Sequence, residues 1–127
     1  MVARVQNNGL ARITADLLSA NLARFLQWGT GSGAAASAND VTTTTTTEAR
    51  TSGTASQQTT TQTNDTFRVV GTITAAGTRA ITEVGVFDAV GSGSPPTGGN
   101  MDFYGDFSVI NLATSDSIAF TVNVAFV

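Results

Sequence analysis

Ser117-Ile118-Ala119-Phe120-Thr121-Val122-Asn123-Val124-Ala125-Phe126 carries an apolar side chain at every second position. Ile118, Phe120, Val122, Val124 and Phe126 fall on one side, and Ser117, Ala119, Thr121, Asn123 and Ala125 on the other. Successive side chains of a strand point to opposite faces, so this run is a strand with one face toward a core and one toward water. Upstream, residues 111–116 have turn chemistry and residues 101–110 read as another strand. Residues 90–100, with Gly91, Gly93, Pro95, Pro96, Gly98 and Gly99, make a surface loop. Residues 81–88 are apolar on both faces, as a central strand should be. Phe67, Val69, Gly71, Ile73 and Ala75 alternate with Arg68, Val70, Thr72 and Thr74, and Ala76-Gly77-Thr78 turns the chain into the next strand.

The N-terminal half is of a different kind. Leu10, Ile13, Leu17 and Leu18 recur at helical spacing, which predicts a short helix with Asn7 or Asn8 as its cap. A strand is expected over 22–28, followed by a glycine-rich loop over 29–40. A phosphate-cradling loop is excluded there, because no Lys-Ser or Lys-Thr follows the glycines. Residues 41–66 are dominated by Thr, Ser and Gln. Two readings compete, a flexible linker and a long polar two-stranded ribbon with Gly53 at its turn or bulge; the β-branched threonines favour the ribbon. At least five strands and one helix predict an all-β fold, a β-sandwich or jelly roll. The expected organisation is a single domain over 1–127, with an N-terminal arm and helix (1–21), the Thr-rich ribbon (41–66) and core strands (67–127).

Composition narrows the function. The chain has 127 residues, no cysteine, no histidine and no lysine; its six basic residues are all arginine. Thiol nucleophiles, imidazole bases, Schiff-base lysines and cysteine- or histidine-ligated zinc are therefore excluded, leaving carboxylate chemistry. A net charge of −3 with scattered arginines argues against nucleic acid. No apolar run approaches the ~20 residues of a membrane-spanning helix. Met1-Val2-Ala3-Arg4 lacks the apolar segment of a secretory signal. Charged residues make up 12% of the chain, against about 25% in an ordinary soluble domain. A surface so weakly charged is adhesive, which suits life inside an assembly.

The candidate carboxylates are Glu48, Glu83, Asp88, Asp102 and Asp106. Glu83 shares a strand face with Ile81, Gly85 and Phe87, which predicts burial and a structural ion pair with Arg50, Arg68 or Arg79. Asp102 and Asp106 flank Tyr104, a solvated face or a sugar-binding one. Trp28 and Tyr104 are candidate interface anchors. No residue pattern calls for a cofactor or a metal.

Trp28-Gly29-Thr30-Gly31, then Thr47-Glu48-Ala49-Arg50, then residues 81–88 (Ile-Thr-Glu-Val-Gly-Val-Phe-Asp), and last residues 106–112 running into Asp116-Ser117-Ile118, together resemble small structural proteins of tailed bacteriophages. The resemblance spans nearly the whole chain, N-terminal helix included. It implies a virion protein without catalytic residues, most like a capsid decoration (cement) protein. Such a protein would sit on the outer surface of the capsid, binding the major capsid protein and copies of itself; a trimer would follow from capsid symmetry alone. The rival expectation is a tail or fibre component that touches other tail proteins or a host surface glycan. The weakest is a polysaccharide hydrolase working through Glu83.

Overall fold

The computed structural model describes residues 1–20, 23–41 and 47–126. One helix, α1 (Asn7–Ser19), precedes seven strands: β1 (Phe25–Gly29), β2 (Thr51–Ser52), β3 (Thr54–Gln58), β4 (Thr66–Thr74), β5 (Arg79–Phe87), β6 (Met101–Leu112) and β7 (Ser117–Ala125). They form two antiparallel sheets, one in the order β2-β1-β5-β6 and the other β3-β4-β7. The architecture is an all-β sandwich with a single short helix.

The alternating strands behave as their periodicity requires. Phe67, Val69, Ile73 and Ala75 of the β4 segment face inward and are buried, as is Phe120 of β7. They meet Leu26 and Trp28 of β1 and Ile81, Val84 and Val86 of β5 in one core between the sheets. Trp28 and Phe107 both pack their rings against Phe120, at centroid distances of 6.4 and 6.1 Å. Each fully buried side chain of this size contributes about 1.5–3 kcal/mol of hydrophobic stabilisation. β5 lies between β1 and β6 and is buried on both faces, as its two-sided apolar pattern predicts.

The ribbon expected over 41–66 does not form. Residues 42–46 lie outside the described residues. β2 pairs with β1 in one sheet and β3 pairs with β4 in the other, so the two short strands are a single crossover between sheets. Gly53 is the crossing point. Its N–H donates to the Arg24 carbonyl, and a Cβ there would lie 2.6 Å from Val69 Cγ1 and 3.0 Å from the Arg24 and Val70 carbonyl oxygens. Only glycine lets the chain pass this close to two backbones. Polar strands with little apolar area of their own are thus ordered by pairing to two separate sheets rather than to each other.

α1 is present where its stripe predicts, and Leu17 and Leu18 pack on the core. Its start differs from expectation: Asn7 and Asn8 sit inside the first turn, Gln6 is the cap residue, and no side chain caps the helix. Asn7 instead donates through Nδ2 to Gln62 Oε1 at 2.8 Å. The deepest helix residue is polar. Thr14 donates to the Asn64 carbonyl at 2.6 Å and accepts from Gln57 Nε2 at 2.8 Å. The strand expected from 22 begins at Phe25; Leu22 lies outside the described residues.

Candidate functional site

Two features of the molecule are candidates for function: a polar layer on the outer face of the four-stranded sheet, and the strand edges that the sandwich leaves open.

The polar layer is built on β1, β5 and β6. Glu83 is 0% exposed. Its Oε2 accepts from the Tyr104 hydroxyl at 2.8 Å, and its Oε1 from the Gly31 N–H at 3.2 Å. Gly29 stands directly opposite Glu83 in the β1–β5 pairing, and a Cβ on it would come within 2.2 Å of Oε1. The glycine-rich stretch therefore serves a packing purpose: it makes room for a carboxylate that lies flat across the sheet. Asp106, opposite Glu83 on the other side, accepts from the Gly33 N–H at 3.0 Å. The Thr82 hydroxyl donates to the Gly31 carbonyl. Together these contacts pin the loop after β1 over the sheet.

Arg50 organises the other half of the layer. Its guanidinium lies 3.6 Å from the Phe87 ring centroid. Nε donates to Gln27 Oε1 at 2.7 Å, and Nη1 to the carbonyls of Ala89 (3.0 Å) and Gly98 (2.7 Å). Burial pushes its pKa below the ordinary arginine value, against the pull of Asp40 and Asp88. Arg50 Nη2 and Gln27 Nε2 are buried without an acceptor. Asp88 closes the same loop by accepting from the backbone and side-chain amides of Asn100 at 2.7 and 2.8 Å, which hold its carboxyl below the usual range.

The three arginines considered for Glu83 each have partners of their own. Arg79 pairs with Glu48 at 3.1 Å, Arg50 is held as just described, and Arg68 donates to Asn123 at 2.8 Å on the far sheet. Glu48 also accepts from the Ala76 N–H (2.8 Å) and Trp28 Nε1 (3.3 Å). Burial alone would raise its pKa, but these donors and Arg79 bring it below the usual value. The face assignment around Glu83 is corrected too. A register shift between Ile81 and Glu83 turns Ile81 into the inter-sheet core, leaving Glu83 on the outer face with Phe87.

The two aromatic interface candidates are both engaged within the chain. Trp28 is a core residue, 1% exposed. Tyr104 is half-buried, and burial followed by its bond to Glu83 raises its hydroxyl pKa. Asp65 is a structural residue that the sequence reading passed over. It is fully buried and accepts from the N–H groups of Thr60, Thr61 and Gln62 and from the Thr66 hydroxyl, which drives its pKa far below the carboxylate range. An Asp just before a strand, after a run of Thr and Gln, is the turn signal that marks it.

The contacts of the layer fasten the loops over the four-stranded sheet. Two grooves among the described residues, about 330 and 380 Å³, flank α1 and are lined by Ile13, Asp16, Leu17 and Ala20, and by Arg4, Val5, Leu10, Ile13 and Phe126. Neither reaches Glu83. Among the described residues no group of three or more Asp or Glu side chains is placed to hold a metal, and no helix is long and apolar enough to cross a membrane.

The edges are the other candidate. β6 and β7 are each an outer strand of its sheet, with β2 and β3 at the opposite edges, and lie along the same side of the sandwich, joined by the turn at 113–116. Val109 and Ile110 of β6 are 54% and 39% exposed. No protein-family model matches this sequence, and no curated protein matches it.

Proposed function

We propose that this chain is a structural virion protein of a tailed bacteriophage, a capsid decoration protein that stabilises the head shell through non-covalent contacts with the major capsid protein and with copies of itself. The observation that carries the reading is a contrast. Glu83 and Arg50, the two buried charged side chains of the polar layer, lie covered by loops, while the outer strands β6 and β7 stand open and β6 exposes Val109 and Ile110. Open edges offer main-chain hydrogen bonds to any extended neighbour. A protein that binds only the assembled shell stabilises it by mass action and needs no reactive group. The resemblance of the 28–31, 47–50, 81–88 and 106–118 segments to phage structural proteins supports the same reading.

A tail component that touches a host glycan would use Asp102, Tyr104 and the 91–100 loop as its carbohydrate face. In the structure the Tyr104 hydroxyl donates to Glu83, and the Gly98 carbonyl of the loop accepts from Arg50. Copy number in purified particles, measured by quantitative mass spectrometry, separates the readings. Hundreds of copies per particle are expected for a head protein. A few to a few dozen would move it to the tail, and none would remove it from the virion.

A further inference from the structure

β6 and β7, the outer strands on one side of the sandwich, differ in how they are defended. β6 pairs irregularly with β5: Asp102 is an extra residue between the Phe103 and Met101 positions, and residues 107–109 stand against Thr82 alone. It also carries exposed charges at Asp102 and Asp106. Bulges and charges of this kind are what stop an edge from pairing with another chain. β7 has neither. It pairs with β4 over nine consecutive residues without a shift, from Ser117 to Ala125, and contains no charge and no proline. Among the described residues no strand takes its far side.

We propose that the free edge of β7 pairs antiparallel with β7 of a second copy, about a two-fold axis at Thr121, joining two three-stranded sheets into one of six strands. Three observations fit a copy of this chain as the occupant. First, the sequence of β7 is self-complementary. With Thr121 opposite itself, Ile118 meets the second copy's Val124 and Phe120 meets its Val122, so that every inward apolar side chain faces another. Second, Ile118, Val122 and Val124 are only half-buried within one chain, and this pairing would complete their cover. Third, residues 80–127 carry Glu83, Asp88, Asp102, Asp106 and Asp116 with no basic residue, a net −5 by subtraction. Two such halves repel unless they meet along a strip that brings no charge, and β7 is that strip. A two-fold interface uses one patch twice, as this one does.

The pair takes its purpose from the assembly reading above, yet the two fail separately. A dimer found nowhere in virions refutes the virion protein, and a single chain abundant in virions refutes the pair. The test is sedimentation equilibrium on the full chain and on Thr121→Lys and Thr121→Glu. Thr121 is exposed on the outer face, so either side chain is accommodated by the isolated fold. Wild type is expected at twice the 13.0 kDa chain mass. Each variant alone should lose that doubling, because two like charges then face each other on the axis. An equimolar mixture should regain it, which also shows that both variants are folded. A wild type at single mass, a variant that keeps the double mass, or a mixture that stays at single mass overturns the proposal. A single-mass wild type whose Thr121→Lys form no longer joins the particle would assign the edge to a strand of another protein.

Discussion

The four-stranded and three-stranded sheets share one core and differ in what lies behind them. β1 and β5 are buried on both faces, inward by the core and outward by loops fastened through Glu83 and Arg50. β4 and β7 are buried inward only, and their outward residues Val70, Thr72, Thr74, Thr121 and Asn123 are open to solvent. One sheet therefore has its outer face held by polar contacts that are costly to leave unmade, while the outer face of the other is bare. The asymmetry locates fragility on one side and freedom to make contacts on the other.

The largest predicted effect is at Glu83. Replacing it with alanine strands the Tyr104 hydroxyl and the Gly31 N–H and leaves a void beneath Gly29, at a cost of about 3 kcal/mol. Urea unfolding should show a clear fall in midpoint. An unchanged midpoint would mean that the loop is not held by this carboxylate, and the contrast between the sheets would lose its basis. Arg50→Met comes next, at about 2 kcal/mol. It keeps the stem over Phe87 but removes the donors to Gln27, Ala89 and Gly98. The loss is smaller because the arginine already leaves one buried nitrogen unpartnered. Hydrogen exchange should locate the change in residues 88–100, with the amides of β4 and β7 unaffected.

Acid should loosen the molecule more gently. Asp65, Glu48 and Asp88 all have folded pKa values below their ordinary ones. A lowered carboxyl adds stability that is complete above the unfolded value, about pH 4, and drains away as pH falls below it. Asp40 and Asp102 are raised, chiefly by burial, and act in the opposite sense, relieving a cost as they protonate. Thermal unfolding should be flat from neutral pH to about 5 and decline below about 4. In Asp65→Asn the decline should be shallower, since the residue with the strongest set of backbone donors no longer titrates. An equally steep decline would shift the acid sensitivity to Glu48 and Asp88.

How much of this was legible beforehand follows the same division. The strands of the three-stranded sheet announce themselves, because a face in water and a face in a core force alternation, and 67–75 and 117–126 alternate cleanly. β5 is legible as a central strand from its two-sided apolarity, and the burial of Glu83 is too, although one of the three residues placed on its face, Ile81, turns into the core instead. The Tyr104 hydroxyl that donates to Glu83 was not legible, since which residue of β6 lies beside that carboxylate depends on register, and a shift at Thr82 is invisible in one sequence. The crossover at Gly53 was missed for a similar reason. Short polar strands carry no periodicity, and their sheet is chosen by what they pair with. The capping of α1 by Gln6 rather than an asparagine likewise follows from the docking of Thr14 and Asn7 onto the 57–64 segment.

The smallest effect is expected on the open face, and it tests the comparison from its other side. Thr72 lies outward on β4 opposite Ala119, exposed and away from both the core and the fastened loops. Thr72→Ser keeps a hydroxyl and gives up only the methyl group that favours an extended backbone. Within the isolated chain the change should stay within about 0.5 kcal/mol, the ordinary range for an exposed position. If Thr72→Ser instead costs more than about 1 kcal/mol in dilute protein, the residue is covered in solution, because an uncovered methyl has too few neighbours to account for such a loss. The face would then be occupied rather than bare. A second chain lying across the threonines would become the source of that cover, instead of one aligned edge to edge along β7.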